Sequence, residues 1–106
     1  SSRVISEIIR GRIGFDGLLM TDDIDMKALS GTAGEKASQA LVAGCDVVLD
    51  CWARMDEMVE IAGLIGEATP ECCARLDRAM ATIAGGGEAG DFDAFVAKRD
   101  ELLGLA

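Results

Sequence analysis

The chain has 106 residues, half of them apolar, which is enough for one folded domain and excludes a disordered chain. A formal net charge of −9 repels phosphate backbones and only 4% of the residues are aromatic, so the composition argues against nucleic-acid binding. Because no apolar run approaches about 20 residues, no membrane span is predicted, and the acidic composition is typical of a solvated cytoplasmic surface.

The first predicted elements are a helix and a buried strand. Apolar residues at helical spacing over 4–9 predict a helix that ends in the glycine-containing stretch 11–14. The Asp16-Gly17 turn then leads into a strand over 18–21. This apolar run is too short for a helix and does not alternate with polar residues, which predicts a strand buried on both faces.

A second strand follows after a helix. The sequence predicts a helix over 35–42, a glycine at its C-terminal end (Gly44) and a strand over 45–51. The order strand, helix, strand predicts a right-handed parallel crossover. Two apolar parallel strands do not form a sheet that buries both faces. We therefore expect the chain, which begins with Ser, to be the end of a larger βα protein or to oligomerise.

The remaining elements are helices. Apolar spacing predicts a helix over 55–65 and another that begins at Pro70. The predicted organisation is the C-terminal part of a larger domain in residues 1–84, a glycine-rich linker in 85–90 and a last helix in 91–106. The methionines in these and earlier segments are predicted to fill the core: Met20, Met55, Met58 and Met80.

Histidine is absent, and the cysteines form no metal-binding motif. Without histidine the chain has neither Ser/His nor Cys/His catalysis and lacks the commonest metal ligand. The four cysteines include no Cys-x-x-Cys pair, so we expect reduced, mostly buried thiols and no metal or cofactor.

Two carboxylates, Asp22 and Asp23, follow the first strand, at the end where α/β folds carry catalytic groups. A carboxylate fixed there can act as a nucleophile, a general base or a metal ligand. It can also be only a helix cap or a loop carboxylate without a chemical role. One alternative is a Mg²⁺ site, although no glycine-rich phosphate-binding motif accompanies the pair. Another is a non-enzymatic interaction module, because exposed strand edges and apolar helix faces require a partner.

Residues 13–26 (Ile-Gly-Phe-Asp-Gly-Leu-Leu-Met-Thr-Asp-Asp-Ile-Asp-Met) resemble the nucleophile strand of glycoside hydrolase family 3, most closely its bacterial β-N-acetylhexosaminidase branch. Residues 40–49 resemble the helix and last strand of the same barrel. The resemblance implies an α/β fold of the TIM type, a (β/α)8 barrel. This chain would supply the last βα units, strands seven and eight, and the C-terminal helices.

The resemblance also implies an activity, which is cleavage of terminal β-linked N-acetylglucosamine with retention, in cytoplasmic recycling of muropeptides. By position, Asp22 is the nucleophile that attacks the anomeric carbon and Asp23 supports it. Asp23, Met26 and Trp52 are the candidate substrate contacts, although core packing is the favoured role of Trp52. The expected partners are an N-acetylglucosamine-containing saccharide and either the remainder of the barrel or a second copy.

The sequence departs from the family pattern at three points. Thr21 replaces a serine, which is a mild change. Asp25 adds a third acid, and because clustered carboxylates raise one another's pKa unless hydrogen-bonded, we expect Asp25 to face solvent. Retaining hydrolysis also needs a group that protonates the leaving oxygen, which the resemblance implies is an upstream histidine paired with an aspartate. Since the chain has no histidine, we expect it not to turn over alone.

Overall fold

The computed structural model describes residues 1–86 and 90–105, which form two strands and five helices. In chain order these are an N-terminal π-helix (Val4–Arg12), strand β1 (Met20–Asp23), helix α1 (Ala33–Ala43), strand β2 (Val47–Leu49), and helices α2 (Met55–Leu64), α3 (Pro70–Ala81) and α4 (Phe92–Leu103). The centre of the predicted linker, residues 87–89, and residue 106 lie outside the described residues. The strands β1 and β2 pair in parallel, which confirms the predicted strand–helix–strand unit.

The N-terminal helix lies where the sequence predicts it but has a wider winding. The Ile13 N–H donates to the Ile8 carbonyl at 2.8 Å, a hydrogen bond five residues back rather than four. The Arg10 guanidinium donates to the carbonyls of Phe15 and Gly17 at 2.8 and 2.7 Å. These bonds hold the end of the helix against the turn that leads into β1.

Strand β1 begins two residues later than the sequence predicts, so both carboxylates lie within the strand rather than beyond it. The shift has a physical cause in the backbone of Leu19. Its carbonyl accepts from the N–H groups of Asp46 and Val47, and its own N–H donates to the Asp46 side chain rather than to a strand. The regular ladder therefore begins only at Met20, which pairs with Val47.

The core is small and lies between the end of β1, α1 and α2. It consists of Ile24, Ala37 and Ile61, with Val48 and Ile65 packed against it. The prediction of doubly buried strands is wrong for the described residues, because β1 alternates between exposed and half-buried positions and β2 is half-buried throughout. In a sheet of only two strands, each strand also has one edge without a neighbouring strand, so its side chains stay partly accessible to solvent.

The helix ends follow the expected capping chemistry. Helix α1 begins at Ala33, earlier than predicted, because Thr32 and Glu35 form a reciprocal capping box. The residue after α1, Gly44, adopts a φ of 112°, which is the left-handed conformation that glycine tolerates. The later helices are capped as well, since Thr69 and Asp91 accept hydrogen bonds from first-turn N–H groups of α3 and α4.

A largely buried cluster of ion pairs stabilises the N-terminal end of the sheet, which is opposite to the end that carries Asp22 and Asp23. The side chain of Asp46 is 6% exposed and accepts from Arg10 and Arg75, each at 2.7 Å. Burial is the largest single influence on the Asp46 pKa and raises it, but the Leu19 N–H and the two guanidinium groups outweigh burial and lower the pKa below its usual value. The cluster joins the π-helix, the start of β2 and α3.

Two predictions about side-chain burial are wrong. Of the four free cysteines, only Cys72 is buried, whereas Cys51 and Cys73 are exposed. The predicted core methionines are also largely exposed, at 43 to 77% of their surface: Met20, Met55, Met58 and Met80. The reason is the small core, which two strands and α1 with α2 fill without them.

No helix in the described part of the chain is long and apolar enough to cross a membrane.

Candidate active site

The C-terminal end of β1 carries a β-bulge that the sequence does not predict. From Met20, which pairs with Val47, to Asp23, which pairs with Leu49, β1 advances one residue more than β2. At this point the Leu49 N–H donates to the hydroxyl oxygen of Thr21 at 3.0 Å, and the Leu49 carbonyl accepts from the Ile24 N–H at 2.9 Å. Bulges of this kind redirect the side chains of the strand that carries them.

The predicted nucleophile, Asp22, lies in this bulge and is exposed. Its Oδ1 accepts from the N–H of Asp23 at 2.8 Å. Its other oxygen has no protein donor among the hydrogen bonds of the described residues. A carboxylate oxygen that is exposed and has no protein donor can reach a bound electrophile, as nucleophilic catalysis by a carboxylate requires.

The neighbouring Asp23 joins the ends of the two strands. Its Oδ1 accepts from the N–H of Asp25 at 3.1 Å and from the N–H of Cys51 at 3.2 Å. These two hydrogen bonds are the main reason that the pKa of Asp23 lies below its usual value. For Asp23, hydrogen bonding therefore lowers the pKa more than its partial burial raises it.

Three of the predicted site residues line one cavity. This cavity has a volume of about 560 Å³ and is bounded by Asp22, Asp23 and Met26 together with Thr21 and Lys36. Met26 is 45% exposed. Trp52, the fourth predicted site residue, does not line this cavity. The structure thus brings Asp22, Asp23 and Met26 together around one cavity, and Trp52 lies outside it.

Trp52 lies on the surface just after β2. The favoured role in core packing is wrong, because the side chain is 67% exposed and its ring lies 5.9 Å from the Arg54 guanidinium carbon instead of in the core. The expectation that Asp25 faces solvent is also wrong, since its side chain is 31% exposed and lies 3.5 Å from Arg54. Arg54 therefore connects the loop after β1 to the aromatic ring after β2.

Two residues between the end of β2 and Trp52, Asp50 and Cys51, carry titratable side chains close to Asp22 and Asp23. Asp50 Oδ1 accepts from the Trp52 N–H at 3.3 Å, and its Oδ2 is buried without a partner among the described residues. Desolvation and the nearby carboxylates of Asp23, Asp22 and Asp50 raise the pKa of the Cys51 thiol. The thiol is therefore protonated at neutral pH and is a poor nucleophile.

Sequence reasoning missed Thr21 and Arg54 as parts of this site. The sequence predicts Thr21 only as a mild change from serine, although a hydroxyl at the end of an apolar strand can accept a hydrogen bond from a backbone N–H. Arg54 offers no such signal, because its pairing with Asp25 joins segments far apart in sequence, whereas its contacts with Trp52 and Glu57 are local. The described residues contain no group of three His, Cys, Asp or Glu side chains arranged to hold a metal ion, so the Mg²⁺ alternative gains no support.

Comparison with known proteins places the chain in a family. The family model for the glycosyl hydrolase family 3 N-terminal domain matches residues 1–84. A β-hexosaminidase of Chromobacterium violaceum is 38% identical over 98 residues, which cover 91% of this chain and 26% of that protein. A β-hexosaminidase of Vibrio cholerae serotype O1 is 34% identical over 80 residues, which cover 74% of this chain and 24% of the relative.

A shorter match has higher identity. A β-hexosaminidase of Bordetella avium is 48% identical over 54 residues, or 48% of this chain and 15% of that protein. The chain therefore spans about a quarter or less of the length of these relatives. On the extent of the family match, this chain belongs to glycosyl hydrolase family 3 and forms part of its N-terminal domain, which is a TIM-barrel-type domain.

Proposed function

We propose that this chain supplies the nucleophile strand of a retaining β-N-acetylhexosaminidase that hydrolyses terminal β-linked N-acetylglucosamine. The observation that carries the proposal is Asp22, an exposed carboxylate on a bulged strand end with one oxygen held and the other free. The shared name of the relatives, β-hexosaminidase, supports the substrate class.

The proposed reaction has two steps. The free oxygen of Asp22 forms a bond to the anomeric carbon as the bond from that carbon to the leaving oxygen breaks, and an acid protonates the leaving oxygen. The conjugate base of that acid then takes a proton from water, whose oxygen bonds to the anomeric carbon as the bond from that carbon to Asp22 breaks. Because the chain contains no histidine, the acid of the family pattern must come from outside these 106 residues. We therefore propose that the chain does not turn over by itself.

Exposed apolar surface supports the proposal that β1 and β2 are strands seven and eight of a barrel. An apolar groove of about 790 Å³ lies beside β2 and is lined by side chains from β2, α2 and α3, among them Val48, Met58, Ile65 and Leu76. The outer edges of both strands have no neighbour in the described sheet. Additional strands of the barrel would cover these edges and the groove, whereas self-association is the competing way to cover them.

Three side chains are proposed as substrate contacts. Asp23 and Met26 line the cavity beside Asp22, and the exposed ring of Trp52 offers a flat apolar surface for a sugar ring. A cytoplasmic role in muropeptide recycling fits this substrate class and the acidic composition, and we propose it as the setting of the activity.

The proposal is tested by turnover of 4-nitrophenyl N-acetyl-β-glucosaminide by the protein as the cell expresses it. Asp22→Asn keeps the size of the side chain and removes the nucleophile, so kcat is expected to fall by about 10³-fold or more. The matched control is Asp56→Asn on the exposed first turn of α2, which is expected to keep kcat within about twofold. Full activity of the Asp22→Asn variant contradicts the proposal.

A further inference from the structure

Two side chains add to the backbone hydrogen bonds at the bulged end of β1, where the Ile24 N–H donates to the Leu49 carbonyl at 2.9 Å. The hydroxyl of Thr21 accepts from the Leu49 N–H at 3.0 Å, beside the extra residue of the bulge. One residue past the bulge, Asp23 accepts from the Cys51 N–H at 3.2 Å. The two side chains thus fasten β1 to β2 on either side of Asp22.

The same contacts determine the position of the Asp22 carboxylate. Asp22 Oδ1 accepts its hydrogen bond from the backbone N–H of Asp23, at 2.8 Å. The direction of that N–H depends on the backbone of Asp23, which its own side chain ties to Cys51 of the β2 end and to Asp25 of the following loop. Movement of Asp23 would therefore move the oxygen that it holds.

We propose that Thr21 and Asp23 are positioning residues, which fasten the bulged end of β1 to β2 and thereby fix the direction in which the Asp22 carboxylate projects. This proposal rests on the proposed role of Asp22 as a nucleophile. Misplacement of a reacting group by about 1 Å can cost about 100-fold in rate. Loss of the Thr21 hydroxyl, which is not a proposed substrate contact, is therefore expected to lower kcat with little change in KM.

The first experiment needs no activity. Amide hydrogen exchange is measured at single residues by NMR, together with the carboxyl carbon resonance of Asp22, in wild type and in Thr21→Val. Valine keeps the branched shape but offers no acceptor, so exchange of the Leu49 amide is expected to accelerate about 10-fold or more and the Asp22 resonance to shift. Thr21→Ser restores the hydroxyl and is expected to restore both signals.

Asp23 is tested in the same way. Asp23→Ala removes the acceptor and is expected to accelerate exchange at Cys51 and Asp25, whereas Asp23→Asn keeps an acceptor oxygen and is expected to recover most of the protection. The matched controls, Thr82→Val and Asp56→Asn, lie on other elements and are expected to leave these amides and the Asp22 resonance unchanged. Unchanged exchange in Thr21→Val and Asp23→Ala overturns the proposal, as does faster exchange with an unmoved Asp22 resonance.

The kinetic experiment then separates positioning from general stability. In the natively expressed protein, Thr21→Val is expected to lower kcat about 10- to 100-fold with KM within about twofold, and Thr21→Ser to recover kcat. A wild-type protein without turnover defeats the proposed function, while the NMR result still decides the positioning claim. A Thr21→Val enzyme with unchanged kcat overturns the positioning claim and leaves the proposed function standing.

Discussion

At the scale of single residues, charge is organised differently at the two ends of the sheet. At one end Asp46 is enclosed by two arginines and a backbone N–H, so its charge is compensated within the protein. At the other end Asp22 keeps one oxygen open while Asp23 is tied to the backbone. The first arrangement stabilises the fold, and the second leaves a carboxylate available for chemistry.

Removal of the Asp46 charge is expected to destabilise the fold. Asp46→Asn leaves the largely buried Arg10 guanidinium without its carboxylate and leaves Arg75 with only the exposed Asp16, which is expected to lower the free energy of unfolding by about 2 kcal/mol. Asp16→Asn serves as the control, because Asp16 also pairs with Arg75 but is 76% exposed, and a loss of only about 0.5 kcal/mol or less is expected. Urea denaturation of the two variants measures the difference, and equal losses would contradict the interpretation.

The contribution of Asp46 is also expected to depend on pH. Its folded-state pKa lies below the usual value of an aspartate, so on acidification the unfolded chain takes up the proton first. The stabilisation is therefore complete above about pH 4 and is lost as the pH falls towards the folded-state pKa. The stability gap between wild type and Asp46→Asn, measured in urea at pH 7, 4 and 3, should narrow below pH 4. A constant gap across this range would show that Asp46 is not the titrating group.

At the scale of elements, short-range signals predicted the helices well and the strands less well. Pro70 and Asp91 act within one turn of helix, so their positions alone predicted the starts of α3 and α4. The limits of β1 depend instead on which residues Val47 and Leu49 face, which is set by contacts about 27 residues away in sequence. The bulge and the role of Thr21 have the same long-range origin, so the candidate site was predicted in its carboxylates but not in its support.

The end of α1 offers a test with a matched control. Gly44 has a φ of 112°, and an added Cβ would lie 2.9 Å from the Ile5 side chain, so Gly44→Ala is expected to destabilise the protein by about 1 kcal/mol or more. Gly63 lies within α2, and its added Cβ would meet no atom within 4 Å, so Gly63→Ala is expected to stabilise by about 0.5 kcal/mol. Thermal unfolding compares the two variants, and a shift of the melting temperature in the same direction for both would contradict this account.

At the scale of the whole molecule, the core is too small for the apolar residues that the chain contains. Only four apolar side chains among the described residues are buried, whereas Val42, Met55 and Phe92 are more than 70% exposed. The sequence predicted this imbalance correctly in one respect, because two apolar strands cannot bury both of their faces. The sequence did not predict which methionines and cysteines are exposed, because the exposure of a side chain depends on which elements pack against it in three dimensions.

The exposed apolar surface leads to a prediction for the 106-residue chain on its own. We expect it to bind the dye ANS and to associate as its concentration rises, because the groove beside β2 and the strand edges are uncovered. Light scattering and ANS fluorescence measure both effects. A monomer that neither binds the dye nor changes mass with concentration would show that this surface is stable in water.

The central claim is that Asp22 forms the covalent bond to the sugar. The most direct measurement is mass spectrometry of the natively expressed protein after reaction with a fluorinated N-acetylglucosaminyl fluoride, a slow substrate that accumulates the glycosyl-enzyme. We predict one sugar residue attached to Asp22 in wild type and none in Asp22→Asn. A sugar attached to another residue, or turnover in which Asp22 is never labelled, would contradict the claim.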